Sequence, residues 1–514
     1  MSIPGHATSK GTEKFKEKFA AQYAPAAYNR LGRTDLTVSQ LGFGAYRCHV
    51  EVPAHREALK AALHHGCNLI DTSANYTDGN AEALIGEALN REIVWGELKR
   101  EQLVVVSKAG YIQGENMEIA LEREKSGNPF PETVKYQEGL WHCIHPEFIE
   151  DQITRSLARM HLDVLDVYLL HNPEYFLSDA AKSRAFDPEK ARAEFYRRIR
   201  QAFLRLEKLA DEGLIRHYGI SSNSFPLPGD SPGFVSLARV WEVYEEACRE
   251  MGKTAAAGRF AVIQLPFNWL EHQAATLKNN EYRGQPCTVL ELAEKRQLGV
   301  LANRPLNAIY DQRVMLRLAR YGSREGVDYY AEFEREVQAL EELESAVRER
   351  IGEWDIDVAL HENRLSDFFR NAPRLRHLAR QSPDVSQFRQ LTAYYGDPLV
   401  SVGSQTFIEH APDGEKKTAE TLAQQYLACY QQARQAWLFF LDGENYQRVK
   451  HLEQRFDALC PQLAASLGFS QKALLAAAVP GVHCVLNGMR TPEYVADSMK
   501  VMEIGDQVSR EGLL

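Results

Sequence analysis

Eight short apolar runs, at residues 41–44, 68–71, 103–107, 166–170, 217–220, 261–264, 300–302 and 483–486, constrain this chain more than any other feature. They are too short for helices and nearly continuous in apolar residues, as strands buried on both faces are. The segments between them have helical spacing. Ala58, Ala61 and Ala62 lead to Leu63. Leu84, Ile85 and Leu89 share a face, as do Phe148, Ile153, Leu157 and Met160, then Phe203, Leu206 and Leu209, then Val240, Val243, Tyr244 and Ala247. His145-Pro146-Glu147 reads as a helix start, with proline at the first position and an acid in the first turn. Ser470 reads as a hydroxyl cap, and Gly66 and Gly213 as glycines ending helices before strands.

Eight strand–helix units in series predict the α/β class and a (β/α)8 TIM barrel. Residues 28–38, with Gly32-Arg33-Thr34 at the turn, read as a hairpin closing its N-terminal end. Two insertions interrupt the repeat. Residues 112–144, containing Gly127-Asn128-Pro129 and Pro131, read as largely loop. Residues 308–450 carry helical patterns (Phe333, Val337, Leu340 and Leu343; Tyr426, Tyr430 and Trp437) and read as a mostly helical insertion. Because it leaves from a strand C-terminus, it is expected over the C-terminal face. The expected organisation is a discontinuous barrel, 28–307 with 451–505, the insertion 308–450, and a polar, surface-lying arm at 1–27.

A formal net charge of −10 argues against nucleic acid or an anionic membrane as partner. No apolar run approaches the ~18 residues of a membrane span. The eight cysteines are scattered without a CxxC pair, so free thiols in a reducing, cytoplasmic setting are expected. His142, Cys143 and His145 lie close in sequence, but no further ligands follow at a zinc-like spacing, and no metal is expected.

Chemistry is legible at the strand ends. Asp71, Lys108 and His171 each terminate an apolar run, and Tyr76 follows Asp71 by five residues. In a parallel barrel all strand C-termini open onto one face. A tyrosine hydroxyl, ordinarily near pKa 10, must become about a thousandfold more acidic to exchange a proton near neutrality, worth about 4 kcal/mol. A neighbouring ammonium favours the phenolate. Lys108 is the candidate cation, Asp71 its counter-ion, His171 a hydrogen-bond partner for a substrate oxygen, and Tyr76 the general acid, or base in reverse. Tyr46 and Arg47, after the first run, are candidates for the substrate pocket.

These stretches resemble the aldo-keto reductase superfamily. The resemblance lies in Asp71-Thr72-Ser73-Ala74-Asn75-Tyr76 with Gly79 to Leu89 after it, in Ser107-Lys108, in Leu170-His171-Asn172-Pro173, and in Leu41-Gly42-Phe43-Gly44-Ala45-Tyr46. It implies an NAD(P)H-dependent oxidoreductase acting on a small carbonyl or sugar substrate, with the cofactor extended across the barrel mouth. The residues it implies for the cofactor are Gly44 and Ala45, then Ser221, Ser222, Asn223 and Gln264 around the nicotinamide amide. Asn303 stands where relatives place a stacking aromatic, with Arg304 beside it for the pyrophosphate. Gly488, Met489, Arg490 and Asp497 complete the set. Arg490 before a helix N-terminus suits a 2′-phosphate, so NADP(H) is favoured over NAD(H). A different class of function, a cofactor-sensing partner protein with negligible turnover, docking through the insertion, is the alternative.

Overall fold

The structure, a computed structural model, describes residues 2–310, 314–324, 326–360 and 362–504, so residue 505 of the expected barrel segment lies outside the described residues. The chain divides into two units, Met1–Leu306 with Phe456–Leu514, and Asn307–Arg455.

The first unit is a closed barrel of eight strands: β1 (Leu41–Gly44), β2 (Leu69–Asp71), β3 (Val104–Ala109), β4 (Leu165–His171), β5 (Ile215–Ser221), β6 (Phe260–Pro266), β7 (Gly299–Asn303) and β8 (Cys484–Asn487). Each pairs in parallel with its sequence neighbours, and β8 closes on β1 through Asn487 opposite Phe43. All eight predicted runs become strands, shifted by no more than a few residues. Helices such as Pro53–His64, Pro146–Met160 and Leu237–Glu250 follow the strands and bury one face each. His145 caps the second of these ahead of Pro146, and Gly66 and Gly213 take positive φ after their helices, as read from sequence.

Alternate strand residues fill the barrel. Leu69, Val104, Val106, Val167, Leu169, Val262, Leu301, Cys484 and Leu486 form one inner cluster with Leu31, Leu36 and Val38. The latter three come from the predicted hairpin, in which Tyr28–Arg30 pairs antiparallel with Thr37–Ser39, and they floor the barrel. Ala7 joins the same cluster, so the N-terminal segment is more than a surface arm. Ile3 bridges to Leu162, the Ala7 N–H donates to Asp166 Oδ1 at 2.6 Å, and a helix over Ser9–Lys18 buries Phe15. Its lysines and glutamates occupy the solvent face and mask the few apolar anchors in the composition.

The first insertion differs from its reading as loop. It holds a helix, Glu115–Lys125, and a three-stranded sheet of Tyr111–Ile112, Val134–Gln137 and Leu140–His142. Gly127-Asn128-Pro129 only ends the helix. Glu138 and Gly139 (φ +71°) make a two-residue turn between paired Gln137 and Leu140. Ser470 is also placed differently: the helix starts at Phe469, its cap is Gly468, and the Gly468 N–H donates to the Gln471 side chain at 2.9 Å.

The second unit is mostly helical, with helices Tyr329–Glu353, Asn371–Gln381, Val385–Tyr395 and Asp397–His410, and the long Lys416–Leu459 beginning within it. Phe333, Val337, Leu340, Phe407, Tyr426, Tyr430 and Trp437 belong to its own hydrophobic core. A strand pair, Asn307–Tyr310 with Val314–Arg317, opens it. Among the described residues no helix is long and apolar enough to cross a membrane.

Candidate active site

The period of two that packs the barrel also aims its polar ends. Leu69 points inward, and so does Asp71. Val104 and Val106 lead to Lys108, and Val167 and Leu169 to His171. Val262 precedes Gln264, and Leu301 precedes Asn303. A ring of polar groups thus caps the apolar interior at the C-terminal end of the strands.

Lys108, fully buried, uses all three of its ammonium donors. It gives hydrogen bonds to Asp71 Oδ2 and the Thr72 carbonyl, both at 2.7 Å, and to the Tyr76 hydroxyl oxygen at 3.4 Å. Gln264 Nε2 donates to the other Asp71 oxygen at 2.8 Å. Gln264 Oε1 in turn accepts from Ser221 Oγ at 3.1 Å and Asn303 Nδ2 at 3.3 Å. The Tyr76 ring meets that of His171 edge-on at 5.8 Å between centroids. Seven of the predicted residues therefore form one cluster.

Burial governs the electrostatics. It raises the Tyr76 hydroxyl well above its ordinary range, and the Asp71 carboxylate and Tyr46 add to this. The expectation that Lys108 draws this phenol toward neutrality is thus not met in this structure. The same ammonium already faces Asp71 more closely, at 2.7 Å against 3.4 Å. Burial also lowers Lys108 and raises Asp71, each opposed by the other's charge. His171 is held well below its usual value by burial first and by Lys108 next, so its imidazole is neutral near pH 7.

Three supports were missed in the sequence. Ser73 Oγ lies 2.9 Å from His171 Nδ1 and fixes the ring. His142 Nε2 donates to the His171 carbonyl at 2.7 Å. Tyr111, just before the first insertion, packs its edge on the His171 ring at 4.7 Å. Ser73 shares inward parity with Asp71, a usable signal; His142 arrives from the segment read as loop, and Tyr111 from just before it. Among the described residues no cluster of three or more His, Cys, Asp or Glu is placed to hold a metal.

Around the rim, Gly44 lies opposite Asp71, and the Ala45 N–H donates to the Asp71 carbonyl at 2.8 Å. Tyr46 is 57% exposed, with its ring edge-on to Tyr76 at 5.2 Å. Arg47 (φ +65°) sets its guanidinium 5.2 Å from the Tyr46 ring. The Ser222 N–H donates to the Gln264 carbonyl at 2.9 Å, and Asn223 is exposed just beyond. Asn303 Oδ1 is buried without a protein partner. Past β8, Gly488 is exposed with open space where a Cβ would stand, and Met489 is buried. Arg490 is half-buried before the helix Pro492–Met499, with no carboxylate paired to it among the described residues. An orphan amide oxygen, an open glycine and an available guanidinium at a helix start fit a dinucleotide across this face. Two predicted contacts are committed elsewhere. Arg304 pairs with Glu271 at 2.7 Å, and Asp497 accepts from Ser470 Oγ at 3.1 Å and Gln471 Nε2 at 2.9 Å.

The sequence matches the model of the Aldo/keto reductase family over residues 40–354. An NADH-specific methylglyoxal reductase of Escherichia coli (strain K12) is 31% identical over 149 residues, 27% of this chain and 40% of that protein. A 6-dehydroglucose reductase of Novosphingobium aromaticivorans is 27% identical over 172 residues, 32% of this chain and 47% of that protein. The chain therefore spans less than half the length of either relative. A solved aldo-keto reductase from Bacillus halodurans, in its holo form, is 21% identical, with 61% of this chain and 76% of that one covered at a TM-score of 0.35. Since the family match runs through seven of the eight barrel strands and more than half of the chain, this protein belongs to the aldo/keto reductase family.

Proposed function

We propose that this protein is an NAD(P)-linked oxidoreductase that interconverts a carbonyl (an aldehyde, ketone or sugar) and its alcohol, with Tyr76 as general acid and base. The observation that carries this reading is Lys108 held between Asp71 at 2.7 Å and the Tyr76 hydroxyl at 3.4 Å. The nicotinamide cofactor, when bound, supplies the hydride. Because Lys108 donates to the phenol oxygen, the Tyr76 proton is left free to point at a substrate oxygen. Burial keeps that proton in place near neutrality, which suits the acid role and so the reductive direction. His171, neutral and with Nε2 free of protein partners among the described residues, orients the same oxygen. Tyr46 and Arg47 line the substrate side. Arg490 supports NADP(H) over NAD(H), since a guanidinium fork matches a phosphate.

The test is a fluorescence titration with NADPH and NADH, followed by an aldehyde and aldose screen. NADPH binds more tightly, and Arg490→Ala removes most of that preference. Tyr76→Phe lowers kcat by about a hundredfold or more while the cofactor Kd barely moves. A Tyr76→Phe enzyme within about threefold of the parent overturns the mechanism.

A further inference from the structure

His171 is followed by a turn that leans on the end of β5. Asn172 takes a left-handed φ of +52°, its N–H donates to the Ser221 carbonyl at 2.7 Å, and its side chain donates to the Tyr111 hydroxyl at 2.6 Å. This turn carries Glu174 under the loop 221–224. Glu174 is buried, and its Oε1 accepts the Asn223 N–H at 2.8 Å. Its Oε2 is buried with no partner. A carboxylate in such a place needs a reason, because burying it costs more than one backbone hydrogen bond returns. The loop it holds presents Ser221, Ser222 and Asn223, the residues assigned above to the nicotinamide.

We propose that Glu174 is a positioning residue for the cofactor: through the Asn223 N–H its carboxylate fixes loop 221–224 in the gripping conformation, and cofactor affinity follows its ionisation. This rests on the dinucleotide reading given above. An ionised acceptor holds an N–H roughly twice as strongly as a neutral one. Geometry places the switch, and burial sets where it operates, pushing the Glu174 carboxyl up to about 7 against the weaker pull of its own backbone N–H, the nearby Ser222 hydroxyl and the N–H groups of Asn223 and Ser224. The other titratable groups facing it are Tyr111, on the strand after β3, and Tyr175, at the start of the helix Tyr175–Ala180. Both are raised by burial and remain neutral in this range. No cationic side chain bonds to Glu174 among the described residues.

The experiment compares NADPH Kd in the parent and Glu174→Gln from about pH 8 to about pH 6. On acidification the parent's Kd should rise about fivefold or more beyond the rise seen in Glu174→Gln. Titration of the cofactor's phosphate is common to both proteins and cancels in the comparison. Should Glu174→Gln fail to fold by circular dichroism, Glu174→Asp replaces it: the midpoint of its Kd profile must shift from the parent's. A Glu174→Gln profile parallel to the parent's, or an unmoved Glu174→Asp midpoint, overturns the proposal. Failure of the parent to bind either NADPH or NADH overturns the dinucleotide reading itself and this inference with it.

Discussion

Lys108 can stay charged inside the barrel because every one of its donors has an oxygen to meet. Lys108→Met therefore does two things. It removes the cation beside Tyr76, so turnover falls at least as far as in Tyr76→Phe. It also strands Asp71, which breaks a buried pair and costs about 3–5 kcal/mol. The double variant Asp71→Asn/Lys108→Met regains most of that stability, read from urea midpoints, and none of the turnover. The histidines behind the site respond to acid. His142 is held at about 4, below the ordinary 6.5, by burial. Its folded value is the lower one, so the unfolded chain binds the extra proton between these values, and stability falls as pH drops through that window. The slope is up to about 1.4 kcal/mol per pH unit. His142→Gln keeps an N–H for the His171 carbonyl and makes the urea midpoint less sensitive between about pH 7 and pH 5. At this scale Asp71, Lys108 and His171 were legible because inward parity at a strand end survives in the sequence, and Tyr76 by its place five residues after Asp71. The raised phenol of Tyr76 and the buried Glu174 were not, because burial is a property of the folded surroundings.

Elements place these residues through close backbone approaches. Gly110, just past β3, is one: a Cβ there would stand 2.4 Å from the His171 carbonyl oxygen and 2.6 Å from His142 Nε2. Gly110→Ala therefore has to separate His142 from the His171 backbone. We expect a loss of kcat greater than the loss of cofactor affinity, measured in steady state and by titration. The N-terminal segment is tied in by Asp166, which accepts from the Ala7 and Val105 N–H groups and from buried Arg100 at 2.8 Å. Asp166→Ala lowers stability by about 3–5 kcal/mol, seen in the urea midpoint, because Arg100 loses its counter-ion. Strands were legible here because apolar runs bounded by helices have few alternative readings. The first insertion was not: its anchors Ile112, Ala120, Phe130 and Cys143, which pack with Phe148 of the helix Pro146–Met160, are spaced too widely to show a period.

At the scale of the whole molecule, each of the two units carries a hydrophobic core of its own, that of the barrel closed by a hairpin floor and that of the second unit built of helices. Leu340→Ala, in the helical core, should destabilise that unit by about 2–5 kcal/mol. The eight-fold alternation made the barrel readable from sequence. Helical periodicity made the second unit readable only as helices, because its order of packing depends on contacts distant in sequence. All eight cysteines are free and buried. Only Cys429 lies within 307–455, and the other seven lie in the barrel unit. A water-borne alkylating reagent can reach these sulfurs only when the structure around them opens. Mass spectrometry of timed alkylation would thus read each unit's opening from its native sulfur atoms, with Leu340→Ala hastening the modification of Cys429 alone.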